Sequence, residues 1–478
     1  MEDNLEFVIG VARGLGASYA EARYQSDKME SNLLKNGVPE VSSFQIKKGI
    51  AIRVIADGGL GFGATNHMSK PTLRTVTKKA VAAAKASARL RKAPIAMAPA
   101  ELGQANVMIR PRVNSDNVGL EDRTSFMKEI DSAAVESAEK RGLKLVGRFI
   151  SMDTWLTEKM IVTSDGAKVG SKIPRVEMDL FLTVLDAQKG TAQRIISLGE
   201  SSGWEGIERW DVPMKAAKEV DSLSLTLLKA ESMKEETCDV VLGPEVVGIV
   251  SHESSGHPGE ADRMLGREAA QAGETYLQRD SISTKIGSEV VNVVEDPTLP
   301  RSFGFYMYDD EGVKARRRYL IKEGKVAELL HNRETASEFG VASNGSSRAT
   351  AYDREPIVRM SNTFVEPGGL EFNELVEGVR YGVYIKNFME WNIDDRRFNQ
   401  RYVGLEAYRI EDGELRGRLR GPVLELTTPA LWSSVDAVGR DLEFSAASCG
   451  KGDPMQGIPV WTGGPPIRLR NIRLGGSA

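Results

Sequence analysis

Two of the four histidines in this 478-residue chain fall in one short segment, LGPEVVGIVSHESSGHPGEADRML, as His252 and His257, and Glu253 follows the first directly. Imidazole pairs beside a carboxylate suit a hydrolytic metal site: the rings bind a divalent ion and the carboxylate takes a proton from water. In the common H-E-x-x-H spacing, four residues advance about 400°, which leaves both rings within about 40° of each other on one helical face. Here the spacing is H-E-x-x-x-H. Five steps advance about 500° and leave the rings about 140° apart, so a regular helix cannot turn both toward one ion. Gly256 and Pro258 offer the remedy: the pattern predicts a helix over 244–256 that bulges or ends just before His257.

Two histidines are too few for a stable protein zinc site, so a third ligand is required. His67 follows a Gly-rich hairpin and His331 precedes a helix opening at Asn332; both read as surface or capping residues. Cys238 stands at the start of an apolar VVLG strand and reads as a core residue. Cys449 lies in SAASCGKGDPMQGIPVWTGGPP, where its own surroundings favour a small buried cysteine over a thiolate held in turns and presented to a cleft. Glu260 and Asp262 read equally as carboxylates supporting an imidazole or as a solvated acidic turn.

The elements that must position these residues fall into two groups. Leu5, Val8, Ile9, Ala12 and Leu15 sit at helical spacing, and the strand-like runs YAEARYQ, SSFQIKKGIAIRVIA and LGFGAT follow, the last two joined by a turn at Gly58-Gly59. Ser69 and Pro71 open a long helix over 70–91. After a Pro- and Ala-rich connection the order resumes with VMIRP, a helix over 120–141, the strands KLVGRFISM, MIVTS and RVEMDLFLTVLD, and a helix over 212–232. The two stretches look like copies of one α–β–β–α theme, without a residue-level repeat. Beyond the charged segment KEETCD, short strands and hairpins dominate, with turns at Glu323-Gly324 and Asp412-Gly413. The expected fold is α+β: residues 1–235 form an antiparallel sheet with long helices, and residues 236–478 form a mainly antiparallel β domain that includes the metal-site helix.

Composition limits the alternatives. With 63 Lys and Arg against 67 Asp and Glu, the formal charge of −4 offers no general attraction to nucleic acid or anionic lipid. No apolar run is long enough to cross a bilayer, and the acidic amino terminus lacks the pattern of an export signal. Two cysteines are too few for a disulfide framework, so a reducing cytoplasm is the expected compartment.

Three segments, HESSGHPGEAD, SNGSSRATAYDREPIVRMSNTFVEPGG and SCGKGDPMQGIPVWTGGPPIRLRNI, together resemble the TldD/PmbA family of metallopeptidases, and specifically its metal-binding TldD branch. The resemblance spans essentially the whole chain. It implies that His252, His257 and Cys449 bind Zn2+ and that Glu253 acts on the metal-activated water as general base. It implies short or unfolded peptides as substrates, held extended, and a cleft enclosed with a TldE/PmbA-like subunit as a heterodimer, or with a second copy as a homodimer. It also implies that the stretch from Asn344 to Gly369, with Gly345, Arg348, Arg359 and Asn362, lines the substrate groove, a structural role being the alternative for each residue. Two other readings compete: a non-catalytic regulator of the gyrase-modulator kind, and a different hydrolase with two His and one Cys, such as a deformylase.

Overall fold

A computed structural model describes residues 1–268 and 273–476. Seven strands, β1 (Tyr19–Lys35), β2 (Val38–Ala56), β3 (Gly59–Thr65), β4 (Gln104–Met108), β5 (Lys144–Thr163), β6 (Lys168–Asp186) and β7 (Gly190–Glu200), form the first sheet. Its order is β3-β2-β1-β5-β6-β4, with β7 also paired to β6, and every pair is antiparallel except β4 with β6. Tight turns set the register. Asn36-Gly37 and Asp57-Gly58 both carry positive φ at the two central positions, the geometry that matches the twist of a hairpin. The second turn therefore sits one residue before the expected Gly58-Gly59.

The two α–β–β–α stretches share this single sheet, because β1 of the first pairs along its length with β5 of the second. The runs KLVGRFISM and MIVTS, expected as separate strands, are one continuous strand of 20 residues. Four helices cover the sheet. Glu2–Gly14 and Lys70–Ala88 bury Leu5, Val8, Ala80 and Ala84 against Ile50, Ile52 and Val54. The second of these helices rests directly on the backbone of β3, since a Cβ at Gly61 would come within 2.0 Å of Ala80 O. Leu120–Glu139 and Val212–Lys229 pack Ile130, Ala134, Val220 and Leu223 against Met178, Leu180 and Leu182 of β6.

From residue 231 onward the chain builds separate sheets, so the architecture is α+β with a β-rich carboxyl-terminal region. In a ten-stranded sheet, Glu236–Leu242 lies between the antiparallel Ile467–Gly476 and the parallel Tyr381–Ile385. A six-stranded sheet includes Asn362–Val365 and Gln456–Gly464 and ends on the edge strand Glu443–Lys451. The helix Pro244–Ser251 packs against the six-stranded sheet, where a Cβ on Gly248 would meet Gly463 N at 2.9 Å. Its apolar residues Val246, Val247 and Val250 join Val240, Leu242, Val365 and Trp432 in the main core. Among the described residues, no helix is long and apolar enough to cross a membrane.

Candidate metal centre

The motif helix begins conventionally, with Gly243 extended and Pro244 in the first turn. It changes character at His252. Residues His252–Gly256 form a π-helical turn, and His257–Gly259 a 3₁₀ turn that takes in Pro258. A π turn closes from i to i+5 rather than i+4, so each residue advances by less than in an α-helix and the 140° mismatch shrinks to roughly 50°. The two rings consequently face each other, centroids 5.0 Å apart and planes at 79°. The wider turn needs room on its inner side: a Cβ at Gly256 would stand 2.0 Å from Sδ of the buried Met360.

The edge strand Glu443–Lys451 brings Cys449 to the same point. One donor atom from each of His252, His257 and Cys449 lies within 4.8 Å of the others, and all three residues are buried. Sγ of Cys449 is 3.5 Å from Nε2 of His257. For a tetrahedral ion with bonds of about 2.05 Å to nitrogen and about 2.3 Å to sulfur, that edge is about 3.6 Å. Nδ1 of His252 is buried without a hydrogen-bond partner, so this ring is not committed to a neighbouring network. The donor set and the Sγ–Nε2 edge fit a divalent metal ion.

Electrostatics favour ligand forms. Burial pushes the imidazoles of His252 and of His257 below their usual range, toward the neutral form that a metal binds. Burial also opposes the Cys449 thiolate, but His257 beside it and the Arg359 guanidinium outweigh this and hold the thiol below its usual range. Arg359 donates to the Cys449 carbonyl as well, which anchors the strand.

Glu260 is fully buried and supports His257: its Oε2 lies 2.9 Å from His257 Nδ1 and accepts from Arg263 Nε at 2.7 Å. Against the cost of burial, Lys451, Arg263 and His257 hold its carboxyl well below the usual carboxylate range. Asp262 accepts from Lys451 Nζ at 2.7 Å. The solvated acidic turn is thereby excluded for both. Lys451, two residues beyond Cys449, ties the strand to the motif loop through these carboxylates.

Glu253 is buried beside the ligand cluster and accepts a hydrogen bond from Arg397 Nη1. Arg397 sits at positive φ in the turn between the strands Phe388–Ile393 and Asn399–Gly404. Nothing in DDRRFNQ distinguishes it from Arg396, so sequence reasoning missed it, as it missed Lys451.

A groove of about 690 Å3 opens onto the cluster. Three strands at the edges of the three large sheets border it: β7, Phe388–Ile393 and Glu443–Lys451. Ile195, Met389 and Trp391 line it while remaining exposed.

Other expectations are corrected. His331 is buried, not a surface residue, with Nδ1 3.1 Å from Thr335 Oγ1, and burial pushes its imidazole down to about 4. Arg359 and Asn362 are fully buried and bond backbone carbonyls, so they brace the sheet and do not line this groove. Arg348 and Gly345 stand away from it too; Arg348 lines a different cavity. Two expectations hold: His67 is exposed, and Cys238 lies in the core, where burial raises its thiol to about 12.

Comparison with known proteins supplies the family. Models described as PmbA/TldA metallopeptidase domain 1, central domain and C-terminal domain match residues 20–84, 114–228 and 235–476. A metalloprotease of Methanothermobacter thermautotrophicus is 32% identical over 461 residues, covering 96% of each chain. A zinc metalloprotease TldD homolog of Saccharolobus solfataricus is 25% identical over 470 residues, covering 97% of this chain and 98% of the relative. The crystal structure of TldE from Thermococcus kodakarensis shares the fold, with a TM-score of 0.76 over 99% of this chain and 100% of that one at 16% identity. With family models matched along most of its length and a relative 32% identical over 96% of each chain, this chain belongs to the PmbA/TldD family of metallopeptidases.

Proposed function

We propose that this chain is a zinc-dependent peptidase of the TldD branch, that His252, His257 and Cys449 hold the metal, and that Glu253 is the general base. The observation that carries the reading is the convergence of three buried donor atoms, with Sγ and Nε2 at the edge length of a zinc tetrahedron. Bound there, zinc supplies a Lewis acid for the scissile carbonyl and acidifies the attacking water.

The residues do the rest. Glu260 holds the Nδ1 side of His257, which leaves the Nε2 lone pair turned toward Cys449. Glu253 takes the proton of the attacking water and returns it to the departing amine nitrogen. Arg397 orients the Glu253 carboxylate through its hydrogen bond. An extended peptide lying in the groove can pair with the free edge of Glu443–Lys451 through backbone hydrogen bonds, which suits short or unfolded substrates of varied sequence.

The name TldE on a structural relative supports, as a proposal, a TldE-like subunit as partner, and the change of sheet after residue 231 supports a domain boundary near 235. The decisive test is Glu253→Gln. Cleavage of an unstructured peptide is expected to be lost while zinc content and the circular dichroism spectrum stay as in wild type. Undiminished cleavage would remove Glu253 from this role.

A further inference from the structure

A second cavity, of about 460 Å3, opens between one face of the first sheet and the segments 303–310 and 348–351. It shares Ser448 with the metal-site groove and contains neither the three candidate ligands nor Glu253. Strand alternation builds its floor. Asp27, Thr157 and Ile173 lie side by side on β1, β5 and β6; Gln25, Lys159 and Ser171 form the next row, and Trp155 stands beside Arg175. Phe303, Phe305 and Tyr306 contribute aromatic surface, with the Phe303 ring 5.5 Å from that of Trp155.

The charges in this cavity are unevenly answered. Lys159 Nζ lies 2.8 Å from both Asp310 oxygens, and Asp27 accepts from Thr157 and Gln25. Arg175 and Arg348 are each more than nine-tenths buried, yet among the described residues neither forms an ion pair. Arg175 donates to the Phe303 and Phe305 carbonyls at 2.9 and 3.0 Å, and Arg348 to the Met360 and Pro459 carbonyls at 2.5 and 3.1 Å. Neutral carbonyls satisfy hydrogen bonds but cancel no charge, and a buried charge without a counter-ion is costly.

The electrostatic response agrees. Burial, and then the Arg348 charge, push the Arg175 guanidinium down to about 9, against the weaker opposing influence of Asp27 and Asp310. Glu177 also lines the cavity, but burial, Asp179 and Asp153 push its carboxyl up to about 8, so near neutral pH it is mostly uncharged and is no counter-ion. A site of this volume, with aromatic walls and two convergent cations, has the make-up of a small-molecule pocket.

We propose that this cavity binds a small amphipathic anion, with a carboxylate or phosphate group at Arg175 and Arg348 and an apolar body against Trp155 and Phe303. Both guanidiniums line the cavity and supply positive charge for such a head group, and the remaining space accepts an aromatic or short aliphatic body.

Calorimetric titration of the full chain at pH 7 with 1-naphthoate, 1-naphthyl phosphate and the neutral 1-naphthalenemethanol tests this. At least one anionic probe is expected to bind one to one, and at least about tenfold tighter than the neutral probe. The tighter of the two anions identifies the head group. Ser171→Phe projects a ring from the floor without replacing either arginine and is expected to abolish binding, whereas His252→Ala is expected to leave it intact. Arg348→Gln, where it folds, is expected to weaken it by about tenfold or more; where it does not, Ser171→Phe decides. Absence of anion binding up to about 1 mM, equal affinity for the neutral probe, or binding that survives Ser171→Phe each overturns the proposal.

Discussion

Sγ of Cys449 and Nε2 of His257 lie 3.5 Å apart although 192 residues separate them in the chain. The pair joins the edge of the six-stranded sheet to the irregular end of the motif helix, and the metal proposal depends on it. Replacing Cys449 by Ala deletes one donor and leaves His252 and His257 in place. Metal affinity is expected to fall by more than the ~10- to 100-fold typical of losing a mere supporting residue. Elemental analysis after dialysis against graded chelator measures this, and full zinc retention would exclude Cys449 as a ligand.

Arg397 fixes the carboxylate of Glu253 across the groove. Arg397→Gln is expected to lower kcat by about 10- to 100-fold with zinc content unchanged, because a misplaced base loses alignment with its water. Arg397→Lys keeps the charge but not the planar donor array, so its kcat should fall between those of Gln and wild type. Equal kcat in all three proteins would show that Glu253 is held by other means.

The π turn requires Gly256, since a Cβ there would meet Met360 Sδ at 2.0 Å. Gly256→Ala is expected to cost about 1–3 kcal/mol through overpacking and to weaken metal binding by displacing His257. Met360→Ala in the same chain opens space for the new methyl group and should restore part of the metal affinity. The four proteins form a double-mutant cycle, read by zinc titration and thermal unfolding; strict additivity would mean that the contact does not set the turn.

His331 provides a pH signature separate from the metal site. Burial holds its folded pKa at about 4, below the value near 6.5 of an unfolded chain, so the unfolded state takes up the proton first. Its contribution, about 3 kcal/mol, is fully present above pH ~6.5 and is lost as pH falls toward 4. His331→Gln removes this term while His252 and His257 titrate alike in both proteins. Urea midpoints at pH 7 and pH 4.5 should therefore drop further for wild type than for the variant.

Much of this organisation was legible in local pattern. Helical spacing of Leu5, Val8, Ile9 and Ala12 reflects one-face burial, which a short window of sequence records directly. The misfit of H-E-x-x-x-H on a regular helix likewise carried its own solution, because a glycine and a proline lie where the turn must widen. What a window cannot record is which distant segments meet. Cys449 looks like any small core cysteine until an edge strand sets it beside His257, and only the family resemblance pointed to it beforehand.

The same limit explains the corrections. Glu260 and Asp262 have the composition of a solvated turn, yet Lys451, from a strand 189 residues beyond Asp262, neutralises them in the interior. Arg397 is indistinguishable from Arg396 in sequence, and the turn geometry alone aims one of them at Glu253. By itself, the sequence determined the long helices of the first half, most strands, the His pair and the need for a break between its members. The tertiary structure decided that Cys449 meets the His pair, that Glu260 and Asp262 are buried, and that Arg397 reaches Glu253, because these depend on sheet edges brought together by long-range packing.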